Sequence, residues 1–328
     1  MYHYYIHMLK KPNITAIPQA ISHQGLSLER LYAFCRVVQA GGFTTAAVGK
    51  ASNQALMSRQ VSQLEEFFGG VHLMRRPRRG AELTELGDEL YKLAVAYIAA
   101  IEDFRRKCCD QPPAITIGAG GGIIQWWILP KLALTKKALP PKTKLSLMNL
   151  RSNEIIERVT RHEIEFGVVR SSAATDAGLA SHVLGNLEYA LFIARRALPA
   201  NPKSTKLDAK ALMSKFPLAL IQGEGVFRKN LETAAKNAGC ELRVETEFSS
   251  SVEVARAVRA ADTAAVLPVL AKHDLPDSDY LMVPLPWAKS IARQMCLIWS
   301  PKLAKTRADV MSVAIPALKR TWHMDRSD

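Results

Sequence analysis

The chain has no stretch approaching eighteen consecutive apolar residues, which excludes an ordinary membrane-spanning helix. Its five cysteines, Cys35, Cys108, Cys109, Cys240 and Cys296, form no C-x-x-C pair and no metal-ligand spacing with a histidine. The adjacent Cys108–Cys109 pair does not alter this, because sequence neighbours rarely make a relaxed disulfide. A reduced, cytoplasmic setting is the simplest expectation. The opening residues also lack the apolar core and small-residue cleavage site of a signal peptide, so residues 1–26 read as an N-terminal extension. The eight histidines are scattered, and no nucleophile and base stand in a legible arrangement. Glu154, Glu157, Glu163 and Glu165 read as helix surface and strand edge. No catalytic residue, metal or cofactor is expected, and no enzyme activity.

What is present is an ordinary globular composition with a basic excess. The 328 residues are 48% apolar and 23% charged, with a formal net charge of +14 and a pI of about 9.6. That length accommodates two or three domains. The charge favours acidic partners, nucleic acid first among them. The first 110 residues hold 14 Lys and Arg against 10 Asp and Glu, and the remainder holds 30 against 20. Recognition of nucleic acid therefore has to rest on local clusters rather than on total charge.

The clusters lie between Ser27 and Gly87. Leu28, Leu31, Phe34 and Val38 form a helical stripe ending at Gly41-Gly42, and Phe43 to Ala47 opens a second helix. Met57, Val61, Leu64 and Phe68 then recur at steps of four, three and four, the period of one buried helix face. Asn53 stands where a side chain caps that helix. Asn53, Gln54, Ala55, Ser58 and Arg59 lie near its N-terminus, on the face where amide, hydroxyl and guanidinium groups reach base edges and phosphates. Beyond Gly69-Gly70, two short extended runs flank Arg75, Arg76, Arg78 and Arg79 around Pro77. A guanidinium cluster at a hairpin tip grips phosphates or enters a narrow minor groove. Thr84 is placed to cap the following helix. That helix carries Leu86, Leu90, Leu93, Tyr97, Ala100 and Phe104 at 4-3-4-3-4 spacing, a heptad seam suited to a dimer.

Gln111-Pro112-Pro113 stops this helix. The remainder alternates strand and helix candidates. The strand candidates are 114–117, 144–148, 166–169, 190–194, 218–221, 242–248, 264–267 and 295–299, and the clearest helices are 154–161, 227–238, 252–260 and 308–322. Alternation of this kind predicts largely parallel sheets in an α/β unit, divided into two lobes. Ligands in such folds sit at the carboxyl ends of strands and between lobes. The run Ile117-Gly118-Ala119-Gly120-Gly121-Gly122-Ile123 falls short of a dinucleotide fingerprint. Ile123 takes the place of the third glycine, and residues 138–150 supply no acid for a ribose.

Together, Ala33-Phe34, Gly42 to Ala47, Ser58-Arg59-Gln60-Val61, Leu64-Glu65-Glu66, Gly80 and Leu83-Thr84-Glu85-Leu86-Gly87 resemble the DNA-binding region of the LysR-type transcriptional regulators. The elements occur in that family's order and spacing. Three positions depart from it: Lys50 and Ser52 replace apolar residues, and Leu56 a small one. The resemblance continues more weakly through Leu129-Pro130, Ile164 to Val168 and Val266-Leu267-Pro268. It implies an α/β protein with a winged helix-turn-helix at 27–85, a linker and dimerisation helix at 86–110, and a two-lobed periplasmic-binding-protein-like (type 2) effector domain at 114–328. Lobe I would span about 114–186 and 301–328, and lobe II about 187–300. Carried over residue by residue, the effector cleft would be lined by Ala119, Gly120, Ser152, Asn153, Gln222, Ser249 and Ser250. Free N–H groups at helix starts there suit a carboxylate or phosphate.

The expected function is a DNA-binding regulator controlled by a small-molecule effector. Its partners would be double-stranded DNA, the effector and further copies of the chain in a dimer or tetramer, with no membrane. A ligand-binding protein without a DNA role and an α/β nucleotide-cofactor enzyme are the alternatives.

Overall fold

The computed structural model describes residues 26–48, 51–75, 82–173, 178–198, 208–223 and 225–324. The chain divides into two compact units, one through Ala99 and one from Ala100 onward.

The first unit opens with α1 (Leu28–Gln39), α2 (Phe43–Ala46) and α3 (Ala51–Phe67). Ser27 caps α1 by accepting the Arg30 N–H at 3.2 Å. Arg36 ties α1 to the end of α2, donating to the Ala46 carbonyl at 2.9 Å. The core gathers Phe34, Val37, Met57, Val61, Leu64, Leu73 and Tyr91. Leu28, expected in the buried stripe, is half exposed, and Ala33, Cys35 and Val37 are buried beside Phe34 instead. A two-stranded hairpin follows, β1 (Met74–Arg75) antiparallel to β2 (Glu82–Leu83). Then comes α4 (Glu85–Cys108), which buries Gly87, Tyr91, Ala94 and Ala96. Thr84 caps α4, accepting the Gly87 N–H at 3.1 Å.

The second unit carries two five-stranded sheets. The first contains β3 (Ala114–Ala119), β4 (Lys144–Asn149), β5 (Phe166–Arg170), β6 (Ala180–Leu187) and, from far along the chain, Arg293–Trp299. A turn of helix at Gly121–Ile123 and a π-helical segment at Ile124–Ile128 follow β3, then α5 (Leu132–Ala138), while α6 (Ser152–Thr160) follows β4. The second sheet contains β7 (Tyr189–Ala194), β8 (Leu218–Ile221), β9 (Val244–Phe248), β10 (Ala264–Pro268) and β11 (Tyr280–Pro284). Its helices are α7 (Ala209–Lys215), α8 (Val226–Asn237) and α9 (Ser251–Ala260). After β12 (Arg293–Trp299), α10 (Pro301–Thr306) and α11 (Ala308–Thr321) return to the first lobe.

The sheet orders are β4-β3-β5-β12-β6 and β11-β7-β10-β8-β9. β3 pairs in parallel with β4 and β5, and β8 with β9 and β10, as helical crossovers allow. β12 runs antiparallel to β5 and β6, and β7 antiparallel to β10 and β11, so both sheets are mixed rather than largely parallel. The expected lobe boundary at residue 300 is too late. β12 belongs to the first sheet because its run from Met295 to Trp299 is buried and fits only between two neighbours. The chain passes between lobes twice, at Glu188 and between Pro284 and Arg293. A shared core with Trp126, Trp127, Trp322, Phe166 and Phe192 spans both lobes. Trp126 donates its indole N–H to the Asp274 carboxylate at 2.8 Å, linking one lobe to the other.

Glu165, expected at a strand edge, is buried. Its carboxylate accepts the Thr116 N–H at 2.6 Å and pairs with Arg307, itself only 5% exposed. The same guanidinium grips Asp103 of α4 in bidentate fashion, at 2.5 and 2.8 Å, and donates to the Ala114 carbonyl at 3.0 Å. Arg307→Met leaves the buried Glu165 and the half-buried Asp103 without their cation. It is expected to lower the stability of this unit by about 3–5 kcal/mol, read from urea unfolding; a loss below about 1 kcal/mol would mean that the cluster is solvated like a surface pair.

Candidate functional site

Helix α3 presents two unlike faces. Met57, Val61 and Leu64 are buried, whereas Phe68, expected to continue the stripe, is exposed and stacks edge-on against Phe67. The buried side ends at Leu64 because α3 ends at Phe67 and the chain turns through Gly69 and Gly70 at positive φ. Asn53, Gln54, Ala55 and Arg59 are exposed, and Ser58 is half-buried beside Met57. Asn53 lies inside the first turn rather than at the cap, since the helix begins at Ala51. No acidic side chain pairs with Arg59 among the described residues. Ser52 and Leu56 are exposed too, and Lys50 lies outside the described residues. In the hairpin, Arg75 is exposed and sits across from Glu82. The expected contacts Arg76, Arg78 and Arg79 lie outside the described residues.

The hairpin is anchored to α4 by a close approach. The Leu73 carbonyl accepts the Thr84 N–H at 3.1 Å and lies where a side chain on Gly87 would have to go. Glu65 of α3 accepts the Leu73 N–H at 2.9 Å. One strand end is thus fixed to α3 on one side and to α4 on the other.

Of the heptad positions on α4, Leu86, Leu93, Tyr97 and Phe104 are exposed, between 50% and 68%. Leu90 is not part of this exposed row: it packs, half-buried, against the core of its own unit. Ile101, which the 4-3 spacing passes over, is exposed with the others.

The second unit holds a cavity of about 580 Å³ between its lobes. Of the residues proposed from sequence for the cleft, Gly120, Ser152, Ser249 and Ser250 line it. Ala119, Asn153 and Gln222 do not. Ala119 is fully buried at the end of β3; Asn153 is one residue further around α6 and faces water. Gln222 is exposed, and its backbone N–H goes to the Phe248 carbonyl. Of the three serines by which the second lobe lines the cavity, Ser249, Ser250 and Ser251, the first two are already engaged. Ser250 accepts the Glu253 N–H, and the Glu253 carboxylate accepts from the Ser249 hydroxyl at 2.9 Å and the Ser250 N–H at 3.1 Å. These bonds hold the Glu253 carboxyl below the usual carboxylate range and cap α9.

Sequence reasoning missed Arg170, Tyr189 and Arg293. Arg170 ends β5, Arg293 begins β12 and Tyr189 begins β7, and all three line the cavity. Burial pushes the Tyr189 phenol up to about 12, against the pull of the two arginines. Burial also lowers the pKa of the Arg293 guanidinium, and the like charge of Arg170 adds to that. One terminal nitrogen of Arg293 is buried without a hydrogen-bond partner.

Residues 112–309 match the family model described as LysR substrate binding domain, and residues 28–88 match the bacterial regulatory helix-turn-helix protein model, lysR family. The chain belongs to the LysR family. It is a LysR-type transcriptional regulator with an N-terminal helix-turn-helix DNA-binding domain and a C-terminal effector-binding domain. Among curated relatives, it is 24% identical over 241 residues to the HTH-type transcriptional regulator BbuR of Bordetella bronchiseptica, covering 70% of each chain. It is 29% identical to the Hca operon transcriptional activator HcaR of Escherichia coli over 44% of this chain and 49% of that one. Among solved structures, a full-length OxyR variant from Pseudomonas aeruginosa matches with a TM-score of 0.64 and 19% identity, covering 93% of this chain and 97% of that one. CbnR complexed with its target DNA matches at 0.57 and 18% identity, over 90% and 100%. LysG of Corynebacterium glutamicum with its bound effector Arg matches at 0.55 and 18%, over 89% and 99%.

The anchoring of this LysR-type regulator's hairpin gives a direct test. Gly87→Ala places a methyl group against the Leu73 carbonyl and is expected to destabilise the N-terminal unit by about 1–3 kcal/mol, measured by chemical unfolding. An unchanged midpoint would mean that hairpin and helix separate without cost.

Proposed function

We propose that the protein reads double-stranded DNA with α3 and the hairpin of its N-terminal unit, under the control of a small molecule held in the interlobe cavity. The observation that carries this reading is α3 itself. Its inner face is core, and its outer face offers Asn53, Gln54, Ala55, Ser58 and Arg59. Arg59 is the residue suited to fork onto a guanine, and Gln54 the one suited to an adenine. Arg75 of the hairpin supplies phosphate contact, with Arg76, Arg78 and Arg79 as its expected continuation. That CbnR has been seen on its target DNA supports the assignment of the domain.

The exposed side chains Leu86, Leu93, Tyr97, Ile101 and Phe104 of α4 are proposed as the surface by which two copies pair. Pairing presents two recognition helices to a two-fold symmetric site. Leu90 supports the fold of its own unit instead. The cavity is read as a binding site rather than an active site. Its occupant biases the lobes between arrangements that differ in DNA-bound geometry, a population shift. LysG with its bound effector lends this support. Action on DNA implies a cytoplasmic protein; among the described residues, no helix is long and apolar enough to cross a membrane.

The test separates base reading from phosphate contact. Arg59→Ala is expected to weaken binding to the selected site by about 1–3 kcal/mol and to relax preference at one base pair. Arg75→Ala is expected to weaken binding to all sequences alike and to lower the salt slope by about 1. Footprints unchanged in the Arg59 variant would remove α3 from the major groove.

A further inference from the structure

The interlobe cavity carries more positive charge than its surroundings neutralise. Arg151, Arg170 and Arg293 line it, against Glu154 as the one lining acid among the described residues. Glu154 is already committed, because its carboxylate accepts the Arg151 N–H at 2.9 Å at the start of α6. Neither Arg170 nor Arg293 has an ion pair or a side-chain hydrogen bond among the described residues.

Strand register explains why these two arginines meet. Met295 of β12 is paired with Arg170 of β5. Arg293 lies two residues before Met295, so its side chain leaves the same face of the sheet as that of Arg170. Diagonal neighbours of this kind stand roughly 7–8 Å apart. Val168 and Met295 share that face and form an apolar floor between and beside them, with Leu187 across from Arg293 on β6. Tyr189 supplies no counter-charge, since burial keeps its phenol protonated. A buried guanidinium nitrogen without an acceptor costs free energy unless a ligand provides one.

We propose that the cavity takes a small organic dianion, a dicarboxylate with an apolar body, whose two acid groups pair separately with Arg170 and Arg293. The inference rests on reading the cavity as the effector site, and it names the chemical class of the effector. The diagonal separation favours two carboxylates over one doubly charged group. The position couples the ligand to lobe arrangement: Arg170 lies on a strand of the first lobe, while Tyr189 and Arg293 each stand at the end of a connection between lobes.

The test is isothermal titration of the full-length protein at fixed ionic strength. Phthalate and succinate are compared with benzoate, propionate and phenyl phosphate, for the wild type, Arg170→Met and Arg293→Met. Each dicarboxylate is expected to bind about tenfold or more tightly than its singly charged counterpart, the worth of one charge-assisted hydrogen bond. Either substitution is expected to reduce it to the level of that counterpart. Equal binding of mono- and dicarboxylates overturns the proposal, as do phenyl phosphate binding more tightly than phthalate, dicarboxylate affinity unchanged in the variants, or binding of neither dicarboxylate.

Thermal unfolding without ligand guards against misfolded variants. Removing an unpaired cation is expected to leave Arg293→Met melting at or above the wild type, and a large drop overturns the claim that Arg293 lacks a partner. Footprints with and without phthalate separate this inference from the effector reading. Phthalate held by both arginines without any change in footprint contradicts effector control and leaves the dianion site standing. A footprint response to phthalate that persists in both variants contradicts the site and leaves effector control standing.

Discussion

A guanidinium withdrawn from water has to be matched, and the C-terminal unit is organised around one that is. Arg307 spends its donors on Asp103, Glu165 and the Ala114 carbonyl. Those groups belong to the end of α4, the entry to β5 and the start of β3, so a single side chain fixes three chain segments against the entry to α11. β3 and β5 pair in parallel with Gly118 beside Gly167, and β12 closes against β5 on the other side. The cost of burying these charges is offset because each acceptor is met, the two oxygens of Asp103 by one fork.

The arginines of the cavity are treated differently by the same fold. Arg170 lies at the opposite end of β5 from Glu165, five residues on. Along one strand, one end holds a fully matched guanidinium and the other presents an unmatched one. Such a contrast marks a site that is completed from outside. Ser249 and Ser250, expected to line the cleft, also satisfy the first turn of α9 through Glu253. Arg170 and Arg293 reach the cavity from strand ends, while Arg151 and Glu154 stand at the start of α6.

Much of the architecture was legible in the sequence, because period and punctuation act locally. The buried face of α3, the Thr84 cap and the apolar strands β3, β5, β8 and β10 all follow from residues close together in the chain. β6 was not legible because Ser181, His182, Gly185 and Asn186 break its alternation, and its pairing is imposed by β12, more than a hundred residues away. β11 was hidden for a similar reason: it is a short apolar run ending in proline that gains its identity only on the edge of β7. The need for glycine at position 87 was not legible either, because it comes from the approach of the Leu73 carbonyl, fourteen residues away. The cavity was partly legible. Gly120 and Ser152 follow strands, where ligands gather, but the meeting of Arg170 and Arg293 depends on a cross-strand register that no spacing encodes.

The N-terminal unit joins these themes to function. α3 and the hairpin are braced by Glu65, Leu73 and Gly87, so the groups facing outward from α3 are held on a rigid element. The exposed apolar side chains of α4 are the surface proposed for pairing two copies. The most direct measurement is selection of bound duplexes from a random pool by the full-length protein at physiological salt. Two inverted half-sites, about one helical turn or a multiple apart, are predicted. Enrichment of a lone half-site, or of no sequence at all, would contradict the account.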